Sequence, residues 1–315
     1  MMARKERRWL GTTDPYVRLK QIEALDLDTE YREITKLFYA DFQSTMVAKS
    51  INGFMMNYAA PRISRVLGST GELEHRISKR VIDTIILASA VMMEGFTGQG
   101  RDAARRVNAM HRQYDIHPDD FIAVGAEETV GSIVLAERYG WRPVTDKERE
   151  AVNRYYSHQA RAFGSPNPLP ATYAETKAFF EAYLDNHVRY EPQNERLGTV
   201  LLSWIGTMAP AGMRSLYRFI LVAQLDDRIA RACGIRPASR VAKWFAHTAL
   251  NHLGGKLPVA DGGPSHLDAL VSSVYPDGYD ISKIGTHVAN VDDQYDPHSV
   301  HNPSDGTPNR IAAAL

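Results

Sequence analysis

The segment VIDTIILASAVMM, residues 81–93, is apolar around almost its whole circumference when wound as a helix. Val81, Ile82, Ile85, Ile86, Ala88, Val91 and Met92 leave no broad polar side to face water. Such a helix needs neighbours on every side. It is too short to cross a bilayer, which takes about 20 apolar residues. The chain around it must therefore supply a core of packed helices.

Helix punctuation elsewhere agrees. Thr145 with Glu148 and Thr172 with Glu175 have the spacing of a capping box, as do Ser69 and Glu72. The last pair predicts a helix from Ser69 to about Met93, stopped by Gly95. Pro118 and Pro237 sit where a first helical turn tolerates proline. Residues 30–44 carry Tyr31, Ile34, Leu37 and Phe38 at helical spacing. Period-2 strands, hairpin dipeptides and internal repeats are not evident. The expectation is an all-α fold: an N-terminal arm over 1–29, one large helical domain over 30–254, and an irregular tail over 255–315, partly disordered or wrapped on the domain.

Bulk composition excludes several classes. Lys plus Arg and Asp plus Glu both number 37 in 315 residues, which leaves no electrostatic footprint for nucleic acid. A single cysteine, Cys233, rules out an internal disulfide framework and a multi-cysteine metal site. The basic start lacks the apolar run of a secretory signal, so a cytoplasmic protein is expected. Peripheral membrane contact stays open, and so does the oligomeric state.

Two inward-facing polar features stand out. Arg80, Asp83 and Thr84 share one face of the apolar helix. They predict either an Arg80–Asp83 ion pair with Thr84 bonding back to a carbonyl, or the polar lining of a cavity. His111 shares the apolar stripe of the arginine-rich segment RRVNAMHRQY with Val107, Met110 and Tyr114. It is either a hydrogen-bonded core residue or a metal ligand. With no cysteine or second histidine nearby, a four-ligand zinc site is disfavoured, whereas haem iron can be held by one protein ligand. Arg80, Arg101, Arg105 and Arg142 are then candidate partners for the propionates.

Other signals are weaker. A di-iron site would need two Glu-x-x-His pairs, and the chain has one, Glu72 to His75. His298 and His301 have metal-compatible spacing in the tail. His247 and His252 fall in a late helix, and Glu127-Glu128 suggests a solvated or arginine-paired face. Gly98 and Gly100 suggest a turn between helices.

Three segments in order resemble the rubber oxygenase (latex-clearing protein) and MpaB-type oxygenase family. They are KRVIDTIILASAVM (79–92), ARRVNAMHRQYDI (104–116) and ERYGWRPVTDKEREA (137–151), approached through NYAAPRISRVLGSTGEL (57–73). The resemblance covers roughly 30–215. It implies a single b-type haem, with His111 matching the proximal iron ligand and Arg80 and Thr84 on the distal side. It also implies dioxygen as co-substrate and cleavage of carbon–carbon double bonds in isoprenoid chains. Rubber-cleaving members carry a lysine before the distal threonine, where this chain has Asp83. That departure suggests an open or water-filled distal position, with Asp83 paired to Arg80 or acting on a proton. It also favours a small prenyl or lipid-like alkene over a polymer. The rival expectations are another haem activity, peroxidase-like or sensory, and a helical binding protein without haem.

Overall fold

A computed structural model describes residues 7–254, 257–261 and 266–286. Fifteen α-helices are described: α1 (Val17–Ala24), α2 (Leu27–Asp41), α3 (Gln43–Ala59), α4 (Pro61–Ser69), α5 (Glu72–His75), α6 (Ile77–Glu94), α7 (Gly98–His111), α8 (Pro118–Tyr139), α9 (Asp146–Ala162), α10 (Tyr173–His187), α11 (Pro192–Gly206), α12 (Arg214–Ala223), α13 (Asp227–Ala232), α14 (Arg240–Gly254) and α15 (His266–Val274). Extended pairing among the described residues is limited to one isolated bridge, Trp9 with Thr12. The all-α expectation holds. The described part of 255–315 is irregular apart from α15, and it lies against the domain.

Local chemistry explains most boundaries. The capping boxes at Thr145–Glu148 and Thr172–Glu175 both form. Pro118 opens α8 from its first turn, and α6 stops at Gly95, whose φ of 70° suits a residue without Cβ. Two expectations need correction. Ser69 does not open the long apolar helix. It ends α4, its hydroxyl donating to the Val66 carbonyl, and Gly71 at φ 68° then breaks the chain. Glu72 instead accepts from Arg76, and α6 begins at Ile77. Pro237 precedes its helix rather than entering it: α14 starts at Arg240, with the Ser239 hydroxyl accepting from the Ala242 amide.

The helix enclosed on most sides is α8. Its Gly125, Ala126, Ser132 and Ala136 are small and buried, so α3, α9 and α10 can approach closely. Glu127 on this helix is buried, which corrects the solvated face expected there. The main core gathers around α8 with Phe38, Phe42, Met55, Tyr155 and Leu201. A second cluster lies between α6, α7 and the C-terminal segment, from Ile82, Ile86 and Val107 to Val274 and Ile284.

Helices α6 and α7 form the most extensive pair in the fold. Gly100 makes their close crossing possible, because a Cβ there would collide with the backbone oxygens of Gly95 and Ala90. Gly98, with φ 45°, provides the turn foreseen between them.

Candidate functional site

The site is assembled from the first half of α6 and the last turn of α7. On α6, residues 79, 80, 83 and 84 fall within little more than one turn yet serve two separate environments. Asp83 is 1% exposed and faces the C-terminal segment. It accepts from the Lys79 ammonium at 2.6 Å, the Gly285 amide at 2.8 Å and the Tyr275 hydroxyl. The expected Arg80–Asp83 pair does not form, because Lys79, four residues before Asp83, reaches the carboxylate instead. Lys79 is itself buried in this pair, so its ammonium is committed there.

Arg80 and Thr84 point into a different, half-buried space. The Thr84 hydroxyl donates to the Arg80 carbonyl at 2.9 Å and accepts from the Arg80 guanidinium. That is the back-bond expected of a mid-helix threonine. Arg80 has no carboxylate partner among the described residues, which is costly for a half-buried cation unless an anion or polar group is supplied. Nearby, the Tyr58 hydroxyl on α3 is buried with no hydrogen-bond partner among the described residues. Burial pushes this phenol well above its usual range, while the Arg80 charge pulls the other way.

His111 closes the site from α7. Its Nδ1 lies 2.8 Å from the Phe163 carbonyl and so carries the proton. The ring packs edge-on against Phe121, with centroids 5.4 Å apart. Burial holds its pKa below 6.5, opposed by the Phe163 carbonyl and reinforced by the Arg80 charge. The imidazole is therefore neutral near pH 7. Its Nε2 keeps a lone pair and no hydrogen-bond partner among the described residues. Metal-ligating histidines carry this Nδ1–H···O=C arrangement, and hydrogen-bonded core histidines share it.

The remaining candidates are dispersed. Arg142 is corrected: all five of its N–H groups are taken, by Asp41, Glu148 and the Pro143 carbonyl. It braces α2 against α9 and has no donor left for a propionate. Arg105 is exposed on α7, and Arg101 is exposed beside Asp102. Glu72 is held by Arg76, and among the described residues no three His, Cys, Asp or Glu side chains converge as a metal cage. His247 hydrogen-bonds Tyr139, His252 is exposed, and His298 and His301 lie outside the described residues.

Among the described residues, the surroundings of His111 hold a neutral imidazole with Nε2 open, an arginine without a counter-charge and a buried hydroxyl without a partner, a donor set that a b-type haem could use. Each is a group that a flat dianionic macrocycle, with its ligand, could satisfy. Sequence reasoning missed Lys79, Tyr58, Phe163 and the Tyr275–Gly285 segment. Phe163 acts through its carbonyl, which no side-chain pattern reveals. A family model described as "ER-bound oxygenase mpaB/B'/Rubber oxygenase, catalytic domain" matches residues 38–251. No curated protein matches the chain.

Proposed function

Because the chain belongs to the mpaB/rubber oxygenase catalytic-domain family, we propose that it is a cytoplasmic haem b-dependent oxygenase acting on a carbon–carbon double bond of an apolar, prenyl or lipid-like substrate. The observation that carries this is the His111 imidazole, neutral, oriented by the Phe163 carbonyl and open at Nε2. In this proposal Nε2 is the protein ligand to iron. The Phe163 carbonyl fixes the tautomer and raises the basicity of the ring. When bound, the haem supplies the redox-active iron at which dioxygen is activated.

Arg80 and Thr84 would act as a linked pair: the guanidinium is the donor, and the Thr84 hydroxyl, whose proton goes to the Arg80 carbonyl, holds it in place. Thr84 is held by its own helix, so its orientation costs nothing further at the moment of reaction. With the haem bound, Arg80 would offer its positive charge to an electron-rich oxygen atom in this space. Half-buried Ile85, Ala88 and Met92 continue along α6 and give the apolar wall that an alkene needs. Arg105 and Arg101 are the solvent-facing cations offered to the propionates. Asp83 enters as a positioning residue, since Lys79, Tyr275 and Gly285 already engage it.

The test is spectroscopic. The purified chain, supplied with haemin, is expected to give a Soret band, and His111→Gly is expected to lose the native ligation and recover it with added imidazole. Oxygen uptake with an unsaturated isoprenoid lipid should follow in the wild type. A native spectrum retained in His111→Gly, or no haem uptake at all, overturns the assignment. Haem binding without oxygen uptake on any unsaturated lipid overturns the activity and leaves the cofactor.

A further inference from the structure

Residues 210–252 hold seven Arg and Lys, two Asp and no Glu, in a chain whose overall charge is zero. Both aspartates are already used: Asp226 pairs with Arg228, and Asp227 with Lys243. Arg218, Arg236 and Arg240 are exposed and make no ion pair among the described residues. The same stretch turns large apolar side chains outward. On α12 these are Leu216 at 54% and Phe219 at 42% exposed, with Met213 at 55% just before it. On α14 they are Val241 at 65%, Trp244 at 61% and Phe245 at 57%. The two helices pack against each other. Val241, Trp244, Phe245 and Thr248 follow the i, i+3, i+4, i+7 spacing of one helix face, and that face is the solvent side.

We propose that the α12/α14 face docks on an anionic lipid bilayer. Neither helix is long enough to span one: α12 has 10 residues and α14 has 15. Short helices with basic residues interleaved among Trp, Phe and Leu lie in the plane of the interface, with rings at headgroup depth. Arg240, Lys243, Trp244 and His247 also line an open recess of about 420 Å³ on α14, where the Arg240 guanidinium faces a lipid phosphate while Lys243 stays paired with Asp227. Charge decides between occupants. A second copy would bring the same basic face against itself, and like charges would oppose the apolar contact. An anionic bilayer neutralises the arginines and buries the rings together. The surface needs neither haem nor turnover, so its test is independent of the chemistry above.

The experiment is flotation of the full chain with vesicles of phosphatidylcholine, with and without phosphatidylserine, followed by tryptophan fluorescence. Binding is expected on the anionic vesicles and should weaken as salt rises. Emission should shift to the blue through Trp244, because Trp9 and Trp204 are already buried and half-buried Trp141 is fixed by its indole N–H donating to the Asp41 carbonyl. Trp244→Ser with Phe245→Ser should weaken partitioning about tenfold or more. Arg218→Glu with Arg240→Glu should weaken it roughly thirtyfold or more on anionic vesicles. Circular dichroism checks that both double variants fold. No binding to anionic vesicles, or binding unchanged in both variants, overturns the proposal. A dimer in solution that Trp244→Ser dissociates, with no vesicle binding, assigns the face to a second copy instead.

Discussion

Replacing Asp83 by leucine strands a buried lysine. Lys79 is 3% exposed, and its ammonium would keep the Gly285 carbonyl at 3.4 Å but lose the carboxylate at 2.6 Å. Breaking a buried ion pair from one side costs about 3–5 kcal/mol. The Gly285 amide also loses its acceptor, for about 1 kcal/mol more. The expected loss is about 5 kcal/mol, a large part of the 5–15 kcal/mol that stabilises an ordinary domain. Lys79→Met should cost less, about 3 kcal/mol, because Asp83 keeps Tyr275 and Gly285 as donors. The double variant removes the unpaired charge altogether. What remains is the Gly285 amide and the Tyr275 hydroxyl without their acceptor, so it should cost about 2 kcal/mol, far below the sum of about 8 for the singles. Urea unfolding of the four proteins, read as midpoint and slope, measures the cycle. Singles that simply add, or an Asp83→Leu cost under about 1 kcal/mol, would refute the pairing.

Other consequences can be checked on the same preparations. Arg142→Met should cost about 3–5 kcal/mol in urea, because Asp41 and Glu148 would be left buried without a cation. Gly100→Ala should lower stability by about 2–3 kcal/mol in thermal melts, since its methyl group meets backbone oxygens and not a movable side chain. The pH dependence of the haem-free chain should carry a His111 contribution of definite sign. The folded-state pKa lies below 6.5, so the unfolded chain takes the proton first as pH falls. That contribution is complete above 6.5 and is lost on acidification through 6.5 towards the lower folded value. Urea midpoints from about pH 7 to about pH 5 should fall more steeply for wild type than for His111→Ala; parallel slopes would contradict the burial.

What the sequence made legible is what acts over a few residues. Thr145 with Glu148 and Thr172 with Glu175 each close within one turn, so spacing alone identifies them. The same rule failed at Ser69 and Glu72, where Gly71 in the left-handed region interrupts a matching pattern. Periodicity brought out Arg80, Asp83 and Thr84 together but could not rank Lys79 against Arg80 as partner of Asp83. That choice is made by Tyr275 and Gly285, 192 and 202 residues away, which draw the carboxylate to the other side of α6. Arg142 misled for the same reason: Asp41, its long-range partner, lies 101 residues earlier. His111 could be singled out because an inward histidine is unusual on an arginine-rich helix. Its orientation could not, because a backbone carbonyl sets it.

The grip of the C-terminal segment on α6 has a bearing on how the chain matures. Asp83 is synthesised about 200 residues ahead of the two groups that complete its coordination. At bacterial-to-eukaryotic translation speeds of about 5–20 residues per second, that interval lasts roughly 10–40 s. Throughout it, Lys79 and Asp83 have only water and each other, and Arg106 waits for the carbonyls of Ile284 and Thr286. The helix that carries Arg80 and Thr84 therefore acquires its final setting late in the birth of the polypeptide. A ribosome stalled before residue 275 would display a nascent chain with this wall of the bundle still wet.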